Sequence, residues 1–305
     1  MTSYILKRLV LSLLTVWMVA TITFFLMYLV PGGPFLSEKA PSQAVLDSMY
    51  AKYGLDKPLY IQYGNYMIHA AQGDLGDSYK KKGRTVAEII SEKFPVSAKI
   101  GGIAIVASIM LGIPLGAVSA LKRGKWEDNL LRFIFTLGIA VPGFVVATSL
   151  MIVFGVKIPI LPTYGLTSPA HYILPVITLT LYPMAYIARL MRSSMLDVLG
   201  QDYIRTARAK GLSGRVVLFK HALRNSLIPI ITYLGPLIAY ILTGSFVVEK
   251  IFTIPGLGGE FISSITNRDY PLVMGTTIFL AAFLIMMNLL VDILYKVVDP
   301  RIKFD

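Results

Sequence analysis

The sequence contains no cysteine and only three histidines, and its 17 acidic residues are outnumbered by 29 lysines and arginines. Without thiols there is no disulfide framework, no thiolate nucleophile and no cysteine-built zinc or iron site. His69, His171 and His221 are too scattered to read as a ligand cluster, so the sequence offers no metal site. Charge of either sign is scarce, at 15% of 305 residues against 55% hydrophobic residues and a mean hydropathy of +0.67. A water-soluble fold of this length has no interior large enough for that apolar content. The phosphate-cradling pattern Gly-x-x-x-x-Gly-Lys-Ser/Thr is also absent, which excludes a nucleotide site of that kind.

What is present is six long apolar stretches: Leu9–Val30, Ile100–Leu121, Phe133–Val156, Tyr172–Ala188, Leu227–Val248 and Leu272–Val291. Each is close to the roughly 20 residues that a helix needs to cross a bilayer. None contains Asp, Glu, Lys, Arg or His in its interior. They are too long and too uniformly apolar for barrel strands. The expectation is an all-α polytopic membrane protein with six transmembrane helices. The first stretch exceeds a typical signal-peptide core and leads into Pro31-Gly32-Gly33-Pro34, so residues 1–30 are expected to be a retained anchor helix.

Loop charge predicts the orientation. Residues 1–8, 122–132, 189–226 and 296–305 hold 17 of the 29 lysines and arginines, whereas the opposite short loops hold only Lys157, Lys250 and Arg268. That asymmetry places both termini in the cytoplasm. The basic excess is then a topology signal, and a nucleic-acid partner is not expected.

The chain divides into the anchor at 1–30, an external segment at 31–94, a core at 95–296 with five spans and the cytoplasmic loop 189–226, and a cytoplasmic tail at 297–305. In the external segment, apolar spacing predicts helices over Ala44–Tyr53 and Leu59–Ala71, and a short run over Val86–Phe94 that stops before Pro95. Turns are expected at Gly54, Gly73-Asp74 and Gly83. A lid packed on its own helices and a docking surface for an external partner are both open readings.

The cytoplasmic loop is the more informative segment. Gly200 ends the helix emerging from the membrane, Asp202 caps a short helix from Tyr203 to about Lys210, Gly211 closes it in the left-handed conformation, and Ser213 caps the next helix. A helix of two turns is unstable in isolation and must rest on something. From composition alone the support is lipid, with Arg205, Arg208 and Lys210 meeting anionic head groups.

The stretch Arg205–Leu212, RTARAKGL, resembles the cytoplasmic motif of binding-protein-dependent ABC importer permeases: Glu-Ala-Ala, three residues, then Gly. Ala207 and Gly211 fit the spacing, Arg205 and Thr206 replace the Glu and first Ala, and Arg224 stands where many members have Pro. HALRNSLIP at His221–Pro229 is similar to the dipeptide, oligopeptide and nickel branch of that family. Gly112–Asp128, Gly138–Leu150 and Gly244–Gly275 resemble the first permease subunit of that branch, and the resemblance runs from end to end.

The resemblance implies a type I ABC importer transmembrane fold and a channel role in peptide import. It makes the short helix a coupling helix seated in a cleft of a separate ATPase, through Tyr203, Arg205, Ala207, Arg208, Ala209, Lys210, Gly211 and Leu212. Small side chains at Ala207 and Ala209 allow close approach, and Leu212 offers an apolar contact. The implied partners are a second homologous permease subunit, two cytoplasmic ATPase subunits that hold the ATP and magnesium, an extracytoplasmic peptide-binding protein, the peptide and the lipid bilayer. The chain itself is expected to bind no cofactor and to be no enzyme.

Thr178, Thr180, Thr243, Ser245 and Asn288 are the polar residues expected to face a pathway, with Thr243, Ser245 and Asn288 the candidates retained. The nearest alternatives are a nickel or other small-solute importer, and then an ion-coupled secondary transporter, which the charge-free span interiors argue against. An intramembrane hydrolase with Ser245 as nucleophile lacks a histidine inside any span.

Overall fold

A computed structural model of the chain describes residues 2–29, 32–35, 42–242 and 244–298. Among these residues the fold is helical, with one isolated β-bridge between Asp77 and Thr85. The helices are α1 (Thr2–Leu29), α2 (Gln43–Lys52), α3 (Leu59–Ala71), α4 (Val86–Leu121), α5 (Trp126–Ala140), α6 (Gly143–Met151), α7 (Ile173–Leu199), α8 (Asp202–Ala209), α9 (Gly214–Val216), α10 (Arg224–Ser226), α11 (Ile228–Leu242), α12 (Phe246–Ile251), α13 (Leu257–Thr266) and α14 (Tyr270–Val298). Wider π turns follow α6 at Ile152–Lys157 and join α9 to α10 at Val217–Leu223.

Five helical stretches among the described residues are long and apolar enough to cross a membrane: Lys7–Leu29, Val86–Leu121, Pro169–Leu199, Ile228–Ile251 and Tyr270–Leu290. The sixth, expected as one helix over Phe133–Val156, is instead a bent pair in which α5 and α6 meet at 97°. Pro142 causes the break: it has no N–H for the carbonyl of Gly138, and it holds Val141 extended at φ −81°, ψ 121°. The expected stop before Pro95 does not occur either, since α4 runs from Val86 through Pro95 to Leu121. The first turns of α4 are held by burial of Val86, Ile89 and Ile90 against Leu257 and Leu272, which offsets one lost backbone bond.

The chain forms two compact units. The first comprises residues 1–96 and 256–286. Here α1 buries Ala20 and Phe24 against Met274 of α14 and against Tyr63, Tyr66 and Met67 of α3, and leaves Leu13, Leu14 and Trp17 exposed, as a lipid-facing helix does. The loop before α4 is fastened to the turn between α13 and α14: the carboxylate of buried Asp269 accepts from the Ser78 hydroxyl and, at 3.0 Å, from the Tyr79 N–H. Lys81 pairs with Glu260 of α13 at 2.5 Å. The described residues of segment 31–94 therefore pack on helices of their own chain. Gly54, Gly73 and Gly83 turn it at positive φ, as expected.

The second unit, residues 97–255 with 287–302, is organised around α7. Glycines let α4 and α5 approach α7 at backbone distance. A Cβ on Gly112 would lie 2.8 Å from the Met184 carbonyl, one on Gly116 2.7 Å from the Met191 Cβ, and one on Gly138 2.8 Å from the Ala185 Cβ. Without a hydrophobic force between helices in lipid, such close packing is what joins them. Pro114, Pro183 and Pro236 remain inside α4, α7 and α11. The expected tail at 297–305 lies almost wholly outside the described residues.

Candidate functional site

The short helix exists where the sequence put it, shifted by one residue. Gln201, extended at φ −74°, ψ 151°, is the N-cap, and Asp202 is instead the first helical residue, with its charge at the positive end of the helix dipole. Gly211 ends the element at φ +77°, where it donates to the Arg208 carbonyl at 2.9 Å and leads the Leu212 N–H back to the Ala207 carbonyl. Ser213 caps α9 through the Val216 N–H, as expected.

Two side chains hold α8 down. Ile204 and Ala207 are buried in a cluster with Met195 of α7 and with Val217 and Ala222 of the π segment. Burying the isoleucine is worth about 1.5–3 kcal/mol, which supplies what two isolated turns lack. The Asn225 amide adds a 2.8 Å bond to the Tyr203 hydroxyl. Ala207 thus faces its own chain, so the small residue offered outward is Ala209, between exposed Arg208 and Lys210, with Arg205 and Leu212 also exposed. The exposed Asp202–Arg205 pair at 3.3 Å contributes little.

The base of α7, from which α8 continues, carries a junction that sequence reasoning missed. Asp128 at the start of α5 is 1% exposed and accepts from Arg192 Nε and Nη2 of α7 at 2.7 and 2.8 Å. It also accepts from Ser119 Oγ of α4 at 2.6 Å and from the Gly124 N–H at 3.0 Å. One carboxylate therefore ties α4, α5 and α7 together just before the exposed helix. The available signal was an acid among the cations of 122–132.

A cavity of about 640 Å³ opens in the same unit beside the α5–α6 break. Its wall is Ile139–Gly143, then Thr178, Leu179, Tyr182 and Pro183 of α7, Tyr233, Pro236, Leu237, Tyr240 and Ile241 of α11, and Ser245 and Val248 at the start of α12. Of the expected pathway residues, Thr178 and Ser245 line it. Thr178 bonds the Leu174 carbonyl of its own helix at 2.9 Å, and Ser245 caps α12. Thr180 turns instead to the Ala104 carbonyl of α4 at 3.4 Å. Asn288 is half-buried on α14 away from the cavity, and Thr243 lies outside the described residues. Among the described residues no group of three His, Asp or Glu is placed to hold a metal ion.

Residues 112–304 match the family model for the binding-protein-dependent transport system inner membrane component, and residues 1–101 match the model for the N-terminal part of such components. The chain is 47% identical to the dipeptide transport system permease protein DppB of Bacillus subtilis, over 99% of this chain and 98% of that one. It is 43% identical to the oligopeptide transport system permease protein OppB of Haemophilus influenzae, with both chains covered completely. Among solved structures, the inward-facing MetNI methionine ABC transporter superposes with a TM-score of 0.55 at 16% identity, covering 69% of this chain and 96% of that one, which is a likeness of fold. On these grounds the chain is a multi-pass bacterial inner-membrane protein belonging to the family of binding-protein-dependent transport system inner membrane components.

Proposed function

We propose that this chain is one of two channel-forming subunits of an ATP-driven importer that passes dipeptides or oligopeptides across a bacterial cytoplasmic membrane. The observation that carries the reading is 47% identity, from end to end, to a permease named for dipeptide transport. Its own residues supply binding surfaces and a pathway, while ATP and magnesium sit on two partner ATPase subunits. A second homologous permease completes the channel, and an extracytoplasmic binding protein delivers the peptide.

The loop charges favour cytoplasmic termini, which puts α8 on the ATPase side and segment 31–94 outside. In this arrangement Tyr203, Arg205, Arg208, Ala209, Lys210 and Leu212 meet an ATPase cleft. Gly211 sets the turn, and Ala207 anchors the helix to its own chain so that a push on α8 reaches α7. Inverting a conformational equilibrium from 1:99 to 99:1 takes about 5.5 kcal/mol of differential binding, within reach of several contacts of a docked helix.

The test is affinity purification in mild detergent followed by reconstitution with the binding protein. ATP-dependent uptake of labelled peptides, with a second permease and ATPase subunits recovered, is the expected result. A chain that reproducibly purifies alone, uptake of nickel but not peptide, or uptake that collapses with an ionophore and survives ATP depletion would each overturn it.

A further inference from the structure

The cavity beside the α5–α6 break has three features that bear on its occupant. Its lining residues come from the α5–α6 break, α7, α11 and the start of α12, and none of them is Asp, Glu, Lys, Arg or His. Three tyrosines, Tyr182 of α7 and Tyr233 and Tyr240 of α11, bring phenols to this wall, and Tyr186 packs on Tyr233 with ring centroids 4.4 Å apart. The wall also includes irregular backbone at Val141 and Pro142, and Pro142 leaves the Gly138 carbonyl without its helical donor.

Irregular backbone at membrane depth is tolerated only where protein or water covers it, so lipid tails are excluded as the resident. A wall without fixed charge offers no counter-charge that would select one class of charged side chain. The volume lies within the roughly 300–1,000 Å³ of ordinary ligand pockets. Phenols donate to and accept from amides, and their rings pack on apolar side chains.

We propose that this cavity is a peptide subsite that reads main-chain amides and ignores side-chain charge, with Tyr182, Tyr233 and Tyr240 as its binding residues. The inference rests on the reading of the chain as a peptide permease. It gives that reading a physical basis for accepting peptides of varied sequence: the hydrogen bonds go to the part that all peptides share.

This chain has no native cysteine, so an introduced thiol is the only one to be read on it. Ala140→Cys and Leu179→Cys, which line the cavity without being its binding residues, are introduced separately into the whole importer complex, with Leu13→Cys on exposed α1 as a lipid-facing control. Each is treated in proteoliposomes with a hydrophilic thiol reagent, with and without ATP, binding protein and peptide. Both cavity thiols are expected to react and the control to stay unreacted. An acidic, a basic and an apolar peptide, each at about ten times its half-saturating concentration, should slow the cavity reaction by a similar factor of roughly ten. Cavity thiols that do not react, protection without peptide, or protection by one charge class alone would overturn the subsite. Uptake of the same labelled peptides by the unmodified complex is read in parallel: uptake without protection defeats the subsite only, and no uptake defeats the importer reading itself.

Discussion

Replacing Asp128 with asparagine asks whether the carboxylate, rather than the packing around it, holds α4, α5 and α7 together. Four donors converge on it: Arg192 Nε and Ser119 Oγ on Oδ1 at 2.7 and 2.6 Å, Arg192 Nη2 and the Gly124 N–H on Oδ2 at 2.8 and 3.0 Å. Asparagine keeps the shape but turns one oxygen into an amide nitrogen that faces donors. Two charge-assisted hydrogen bonds are lost, one of them from the guanidinium, which keeps its charge without a counter-charge. Asp128 is 1% exposed and the Arg192 side chain 20% exposed, so the cation retains a little access to water. The cost therefore falls at or below the lower end of the 3–5 kcal/mol typical of breaking a fully buried pair, at about 2–3 kcal/mol. Reversible unfolding in mixed detergent micelles, run for Asp128→Asn, Arg192→Met and the double variant, measures it. The double variant should cost less than the sum of the singles by at least about 1.5 kcal/mol. Single costs below about 0.5 kcal/mol, or additive ones, would refute the assignment of the joint to charge.

Gly116→Val drives a side chain into the Ala188 carbonyl and Met191, and should destabilise by about 1–3 kcal/mol or more in the same unfolding assay, whereas Gly143→Ala, with nothing within 4 Å, should be neutral. Ile204→Ala should cost about 2–4 kcal/mol locally, seen as faster hydrogen exchange over residues 202–212, with Ile204→Leu milder. Arg205→Glu with Arg208→Glu should leave stability within about 0.5 kcal/mol of the parent yet weaken recovery of ATPase subunits, more so as salt rises. Gly211→Pro cannot reach the observed φ of +77° and should abolish uptake while the chain still inserts, measured by uptake and membrane fractionation together.

The limits of α8 were legible because they are local: Gly211 ends it at φ +77°, a backbone conformation that favours glycine, while Gly200 closes α7 just upstream in ordinary right-handed backbone at φ −82°, ψ −10°. The direction of its faces was not legible. Ala207 reads as a small residue offered to a partner until Met195 upstream and Val217 and Ala222 downstream close around it. The break in the third span was hidden for a related reason. An apolar run gives lipid compatibility without shape, and the six prolines in four spans look alike, yet Pro114, Pro183 and Pro236 stay inside helices. Pro142 differs in its immediate successor: Gly143 stands in open space, and no packed neighbour holds the chain on its helical course.

Charge carries the same ambiguity in its most consequential form. In the sequence Arg192 is one of many cations that set orientation, and Asp128 is an acid among basic neighbours. In the structure they are a single joint, 64 residues apart along the chain, lying one helix away from the surface that α8 presents. A force applied at α8 can move α5, and with it the Ile139–Gly143 wall of the cavity, only if α7 and α5 move together. Arg192 and Asp128 make that coupling rigid at one end, and the glycine contact of Gly138 on Ala185 makes it close-packed near the other. Under the coupling role proposed for α8, the path from exposed helix to broken span runs through pairings between spans, which no single stretch of sequence contains.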